Sequence, residues 1–182
     1  MLYRIHEILL VASPYDAFIL EEDGRLTEQI LHEYLGMNLS YAPRVWQANT
    51  ASYAMDLLSR RSVDLVIVMM RISDMDLITF GTQIKDKYNK KPIILLAFDE
   101  SEIKQLPENR DQFIDNTFVW TGNSSVFPAI IKYLEDTKNV KRDTRKGDVR
   151  SIIYIEDTSR YYSSILPIIY KETLFHTKQL ID

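Results

Sequence analysis

The chain has 182 residues, 46% hydrophobic and 26% charged, with a net charge of −4 and no cysteine. That length suits one domain of roughly 100–150 residues plus an extension, with a core large enough to need neither disulfide nor metal. The composition excludes disulfides, zinc–thiolate sites and cysteine nucleophiles. It gives no electrostatic case for nucleic-acid binding, and no apolar run approaches the roughly 20 residues that cross a bilayer, so a cytoplasmic protein without nucleic-acid or membrane partners is expected.

The first apolar run, EILLV at Glu7–Val11, predicts a buried strand, and Pro14 suits the first turn of a following helix. From Tyr15 to Tyr34, Phe18, Ile19, Leu26, Ile30 and Leu31 recur at helical spacing, interrupted by Gly24. RVWQA at Arg44–Ala48 predicts a second strand. Asn49 or Thr50 can cap a helix over Ala51–Arg61 that turns Ala54, Leu57 and Leu58 inward. DLVIVMM at Asp64–Met70 is the third strand. Leu77–Tyr88 is an amphipathic helix broken before Pro92, and IILLAF at Ile93–Phe98 is a fourth strand. A short helix in DESEIKQL is cut by Pro107. NTFVWTG at Asn116–Gly122 is a fifth strand, and Ser124–Glu135 a further helix with Val126, Phe127, Ile130, Ile131 and Leu134 apolar.

Near-continuous apolar strands alternating with helices predict a doubly wound α/β fold: a five-stranded parallel sheet of flavodoxin-like type, covered on both faces. Ligands of such sheets gather at the carboxyl ends of the strands, where ASP, MMRISD, AFDE and WTGN fall. Residues 136–150, DTKNVKRDTRKGDVR, hold six Lys or Arg and almost no large apolar residue. They read as a solvated linker, with a strip for phosphate or a partner as the sharper alternative. Then IIYIED at Ile152–Asp157 restates ILLVAS at Ile8–Ser13, and an apolar, Tyr-rich helical stretch succeeds each. The expected organisation is a domain over 1–136, a charged linker over 137–150, and the first strand and helix of a truncated second repeat over 151–182.

This pattern resembles the receiver domain of bacterial response regulators over Glu7–Glu135, with a restart at Ser151. The resemblance rests on element order, on VDLVIVMMRISDMD as the family's strand-three stretch, on KPIILLAF as its fourth strand, and on TFVWTGNSSVFPAII as its fifth strand and the start of the next helix. It implies a phosphoryl-accepting pocket: an acidic Mg²⁺-binding pair after strand one, an acceptor aspartate ending strand three, a hydroxyl residue ending strand four and a lysine ending strand five. Position by position, this chain has Ala12 and Ser13 at the pair, Met69 at the acceptor, Ala97 at the hydroxyl and Thr121 at the lysine. Gly122 stands where a proline usually comes next, and Phe118 at the switch-aromatic position. A thioether cannot accept a phosphoryl group at oxygen and is a poor Mg²⁺ ligand, so the set implies a non-phosphorylatable pseudo-receiver without cofactor and without catalytic residues.

Asp74, Asp76 and Asp99 lie nearby and offer a relocated acidic site as an alternative; turn and cap formation is the plainer use. In the second repeat, Glu156 and Asp157 come after the first strand as the family's acidic pair does, and the complete repeat could hold a metal there. RYYSSILPIIYKETLFHTKQLI also resembles a segment of multidomain bacterial proteins in which receiver-like modules precede a phosphoenolpyruvate synthase-type domain. That implies a regulatory N-terminal part with an ATP-dependent catalytic region elsewhere. His6, His32 and His176 lack zinc-ligand spacing, and no Gly-rich phosphate loop is present. The expected function is regulation through a protein partner or self-association. The C-terminal strand and helix must pack on the first domain, extend its sheet or pair with another chain, and a homodimer through residues 151–182 is the expectation.

Overall fold

The computed structural model describes residues 2–22, 24–37, 39, 41–147 and 151–179. Five strands, β1 (Glu7–Val11), β2 (Arg44–Ala48), β3 (Leu65–Met69), β4 (Ile93–Ala97) and β5 (Asn116–Val119), form one sheet in the order β2-β1-β3-β4-β5. Every pairing is parallel, with Ile8 opposite Leu65, Met69 opposite Leu96 and Ala97 opposite Val119. That is the expected flavodoxin-like order.

Among the described residues seven α-helices flank the sheet, α1 (Pro14–Leu20), α2 (Leu26–Gly36), α3 (Ala51–Arg60), α4 (Leu77–Lys87), α5 (Glu100–Lys104), α6 (Val126–Lys146) and α7 (Ser159–Gln179), with a 3-10 turn at Glu108–Gln112. Because side chains alternate across a strand, β1, β3 and β4 feed two cores. Ile8, Leu10, Ile67, Met69, Ile94 and Leu96 meet α2 and α6 on one face. Leu9, Val11, Val66, Val68, Ile93 and Leu95 meet α3 and α4 on the other. Both faces are covered, which explains the unbroken apolar strands. The edge strand β2 is half-exposed, and there Trp46 lies under the Arg61 guanidinium at 3.6 Å and donates its indole N–H to Glu7.

The sequence pattern predicts one interrupted helix over Tyr15–Tyr34; the structure has two, because α1 ends at Leu20 and Gly24 adopts φ +126°. A larger difference concerns the expected linker. Residues 137–146 are helical, so α6 runs from Val126 to Lys146, closed by Gly147. Lys and Arg are good helix formers even without an apolar stripe. This part of α6 is also anchored: buried Asn139 accepts the N–H groups of Leu2 and Tyr3 at Oδ1 and donates Nδ2–H to the Tyr3 carbonyl. One turn earlier, Glu135 accepts Ile5 N–H at 3.0 Å and pairs with buried Lys132 at 3.1 Å. The helix therefore holds the lead-in to β1.

Ile152–Asp157, expected as the first strand of a second repeat, makes no strand pairing. The neighbouring sheet edge gives the reason. On β5, Thr117 N–H donates to Asn116 Oδ1 and Val119 N–H to Ser163 Oγ, both at 2.8 Å, so those two amides are taken by side chains. The expected helix does form as α7, and it packs on β5 and α6 of its own chain. Leu166 joins the α6-side core, and the Glu100 carboxylate accepts Arg160 N–H at 2.7 Å in the first turn of α7, where negative charge is favourable. Residues 148–150 and 180–182 of these two segments lie outside the described residues.

Candidate functional site

The parallel sheet brings the carboxyl ends of β1, β3 and β4 side by side, and the β1–β3 neighbourhood is the switch point where strand order reverses. Ala12 comes directly after β1, is buried, and donates its N–H to the Ala48 carbonyl at 3.0 Å. Ser13 caps α1: its Oγ accepts Asp16 N–H at 3.1 Å, while its own N–H donates to the Arg71 carbonyl at 3.2 Å. Met69 ends β3 with 1% exposure and packs in the core beside the α2 and α6 layer. Ala97 ends β4, fully buried with Val119 and Ile103. Thr121 lies two residues beyond β5, exposed, and Gly122 after it takes φ +79°, a backbone region costly for a side chain with Cβ. The strands thus gather Ala12, Ser13, Met69 and Ala97 at one end, whereas Thr121 stands out on the surface.

Sequence reasoning missed the charged pair at this end. Asp16, in the first turn of α1, is 1% exposed, and its carboxylate binds the Arg71 guanidinium at 3.0 Å. Arg71 sits two residues past Met69, largely exposed, 5.9 Å from the Tyr15 ring. Hydrogen bonding and charge from Asp16 push its pKa above the ordinary arginine value. The available signal was an aspartate four residues before Leu20, on the helical face that Leu20 buries, together with a lone arginine after an apolar strand.

These groups do not fit Mg²⁺. Ala12, Met69 and Ala97 carry no oxygen ligand on their side chains, the Ser13 hydroxyl is engaged as a cap, and the buried carboxylate of Asp16 already faces a cation. Among the described residues no cluster of three or more His, Asp or Glu is suited to a metal ion.

The nearby carboxylates are occupied as well. Asp74 accepts the N–H groups of Ala51 and Ser52, Asp76 accepts Thr79 N–H at 2.9 Å, and Asp99 accepts the N–H groups of Ser101 and Glu102, so each holds the start of a helix. Hydrogen bonds, chiefly from Ser52, Thr79 and Ser101, lower all three below the ordinary carboxylate pKa. Glu156 and Asp157 precede α7 and accept from Thr158, at its N–H (3.0 Å) and its hydroxyl (3.2 Å).

A cavity of about 280 Å³ remains beside this end, between β1, β2, α1 and α3, bounded by Ala12, Pro14, Gln47, Asn49 and Tyr53. Phe118 is fully buried under α6 and α7, with Tyr133 and Tyr162 at ring-centroid distances of 5.9 and 5.6 Å. Burial there pushes the Tyr162 hydroxyl up to about 12.

No family model matches the chain, and no curated protein matches it. Solved structures do. A signal receiver domain of an HD domain-containing protein from Pseudomonas fluorescens is 22% identical, with 79% of this chain and 96% of that one covered at a TM-score of 0.51. A signal receiver domain of a signal transduction histidine kinase from Syntrophus aciditrophicus is also 22% identical, covering 83% and 99% at a TM-score of 0.52. The response regulator protein TrrA from Thermotoga maritima, solved with Mg²⁺–BeF, is 19% identical, covering 71% and 99% at a TM-score of 0.55. At these identities the likeness shows the fold, that of receiver domains.

Proposed function

We propose that this chain is a regulatory module of a signal-transduction protein that uses the receiver fold without its phosphoryl chemistry and acts through protein contact. The carrying observation is the composition of the strand ends: Met69 buried where the resemblance calls for an acceptor carboxylate, and Asp16 neutralised by Arg71 beside it. At the acceptor position a phosphoryl group would meet a thioether in place of an oxygen nucleophile, among residues that do not fit the Mg²⁺ that balances its charge. The module's use then lies in its surfaces. Ile152, Ile153 and Ile155 are exposed ahead of α7, as are Ile165, Ile168 and Phe175 along it, an apolar display that favours a protein partner or a second copy of the chain.

The test is incubation with acetyl phosphate and Mg²⁺ and then measurement of intact mass, in parallel with NMR spectra recorded with and without beryllofluoride. The expected result is an unchanged mass and unchanged spectra. A phosphoryl adduct on any residue, or a shift of strand-end resonances, overturns the proposal. Light scattering across a concentration series reads self-association separately.

A further inference from the structure

A second cavity, of about 530 Å³, opens between α6, α7 and the residues that lead into α7. Its size is that of small-molecule sites, which span roughly 300–1,000 Å³. Val140, Ile152, Ile153, Leu166 and Ile169 give it apolar walls. Hydroxyls are prominent among its lining, and two of them can only accept. The Thr137 and Thr144 hydroxyls donate their hydrogens to the carbonyls of Tyr133 and Val140, both at 2.7 Å, so only lone pairs remain to them. Among the described residues, Asp136 and Asp143 are the charged groups that line the cavity, and neither Lys nor Arg does. Tyr170 lines the cavity as well, and burial, with the Asp136 charge next, raises its pKa above the ordinary tyrosine value. Lys132 approaches Asp136 only to 3.8 Å and lies closer to Glu135, at 3.1 Å.

Such a cavity offers acceptors and negative charge beside apolar surface. A ligand that complements it supplies N–H donors, positive charge and an apolar body. We propose that the α6–α7 cavity binds a small organic cation, an ammonium or guanidinium group set against Asp136 with a hydrocarbon or aromatic portion over Ile153, Leu166 and Ile169. Two further observations support a ligand. Burial, the largest influence on Asp136, raises its pKa in spite of Lys132 at 3.8 Å, so a further cation beside this half-buried carboxylate would be favoured. Among the described residues the one buried side-chain polar atom without a hydrogen-bond partner is the hydroxyl of Tyr154, also a lining residue. A buried unpaired hydroxyl is costly and is relieved by a bound partner. Because the cavity lies between the helix that covers β5 and the helix beneath it, an occupant would tie α7 to α6. This proposal does not rest on the reading of the strand ends.

The test is calorimetric titration of the full chain with 2-phenylethylammonium, and with two near-isosteres, neutral 2-phenylethanol and anionic phenylacetate. The expected result is binding of the cation at least about tenfold tighter than the alcohol, with no binding of the anion. Amide shifts should fall on Asp136, Tyr154 and Tyr170. Asp136→Asn should bring the cation's affinity down to that of the alcohol. Should that variant fail to fold, the ranking of the three probes and the shift map on the unaltered chain decide the matter. Equal affinity for cation and alcohol, no binding at millimolar cation, or shifts centred away from the α6–α7 cavity overturns the proposal.

Discussion

Replacing Ser163 by alanine isolates the contact that seats α7 on the sheet. Ser163 is 1% exposed, and its Oγ accepts the Val119 amide at 2.8 Å while donating to the Ser159 carbonyl at 2.6 Å. Alanine keeps helix propensity and leaves the Ser159 carbonyl its backbone environment, but it orphans the Val119 N–H in a place water does not reach. An unpaired buried amide costs about 1–3 kcal/mol. At about 2–4 °C per kcal/mol for a chain of this size, the melting temperature should fall by about 2–12 °C. The adjacent position is an internal control: the Ser164 hydroxyl only back-bonds to the Arg160 carbonyl at 2.9 Å, so Ser164→Ala should stay within about 0.5 kcal/mol. Urea denaturation of both variants, with hydrogen exchange read at Val119 and along α7, gives the comparison. Equal effects of the two substitutions, or α7 amides that exchange freely in the unaltered chain, would refute the packing of α7 on β5 as the cause.

Met69→Asp restores the acidic residue type that the resemblance implies, and should destabilise by about 3 kcal/mol or more by placing an unpaired charge in the core; urea denaturation reads this. The same variant should take no phosphoryl group from acetyl phosphate by intact mass, since Ala12 and Ser13 supply no metal ligand. Asp136 has a folded pKa raised above 3.8, chiefly by burial, with Lys132 and Tyr170 opposing and Glu135 and Asp143 reinforcing the rise. The folded chain therefore holds that proton longer than the unfolded one, and stability falls as pH rises from the unfolded value through the folded one. Asp136→Asn should remove that slope, gaining on the unaltered chain as pH rises above 3.8 in denaturation curves. Asp99 works in the opposite sense. Its hydrogen bonds to Ser101 lower its pKa below 3.8, so its contribution is present above 3.8 and is lost as pH falls through the lower folded value; Asp99→Asn should lose this acid-limb dependence.

The sheet was legible because each strand is a short, unbroken apolar run succeeded by a helical period, so element order alone fixed a parallel doubly wound fold. The second half of α6 was not. Its pattern lacks apolar periodicity, and what holds it is a polar anchor, Asn139 and Glu135 against residues 2–5, that joins positions more than a hundred residues apart. The repeat-like IIYIED shows the opposite failure. Its composition is that of a strand, yet pairing is a property of the neighbour, and the neighbouring edge carries Asn116 and Ser163 side chains on its amides. At the candidate site, the residues at the family's positions were readable one by one, while the Asp16–Arg71 pair was not, because it joins the first turn of α1 to the loop after β3, which only the β1–β3 pairing brings together.

The side-chain cover on β5 also bears on how sheets of different copies can join. A parallel sheet has two terminal strands, and continuous growth from copy to copy needs both to accept a neighbour. Here β2 is one terminus, and β5, the other, has two amides already occupied. In the vocabulary of polymer chemistry the domain is monofunctional. Two copies that met through their β2 edges would exhaust each other's free ends and close as a pair, with no end left from which a fibre could propagate.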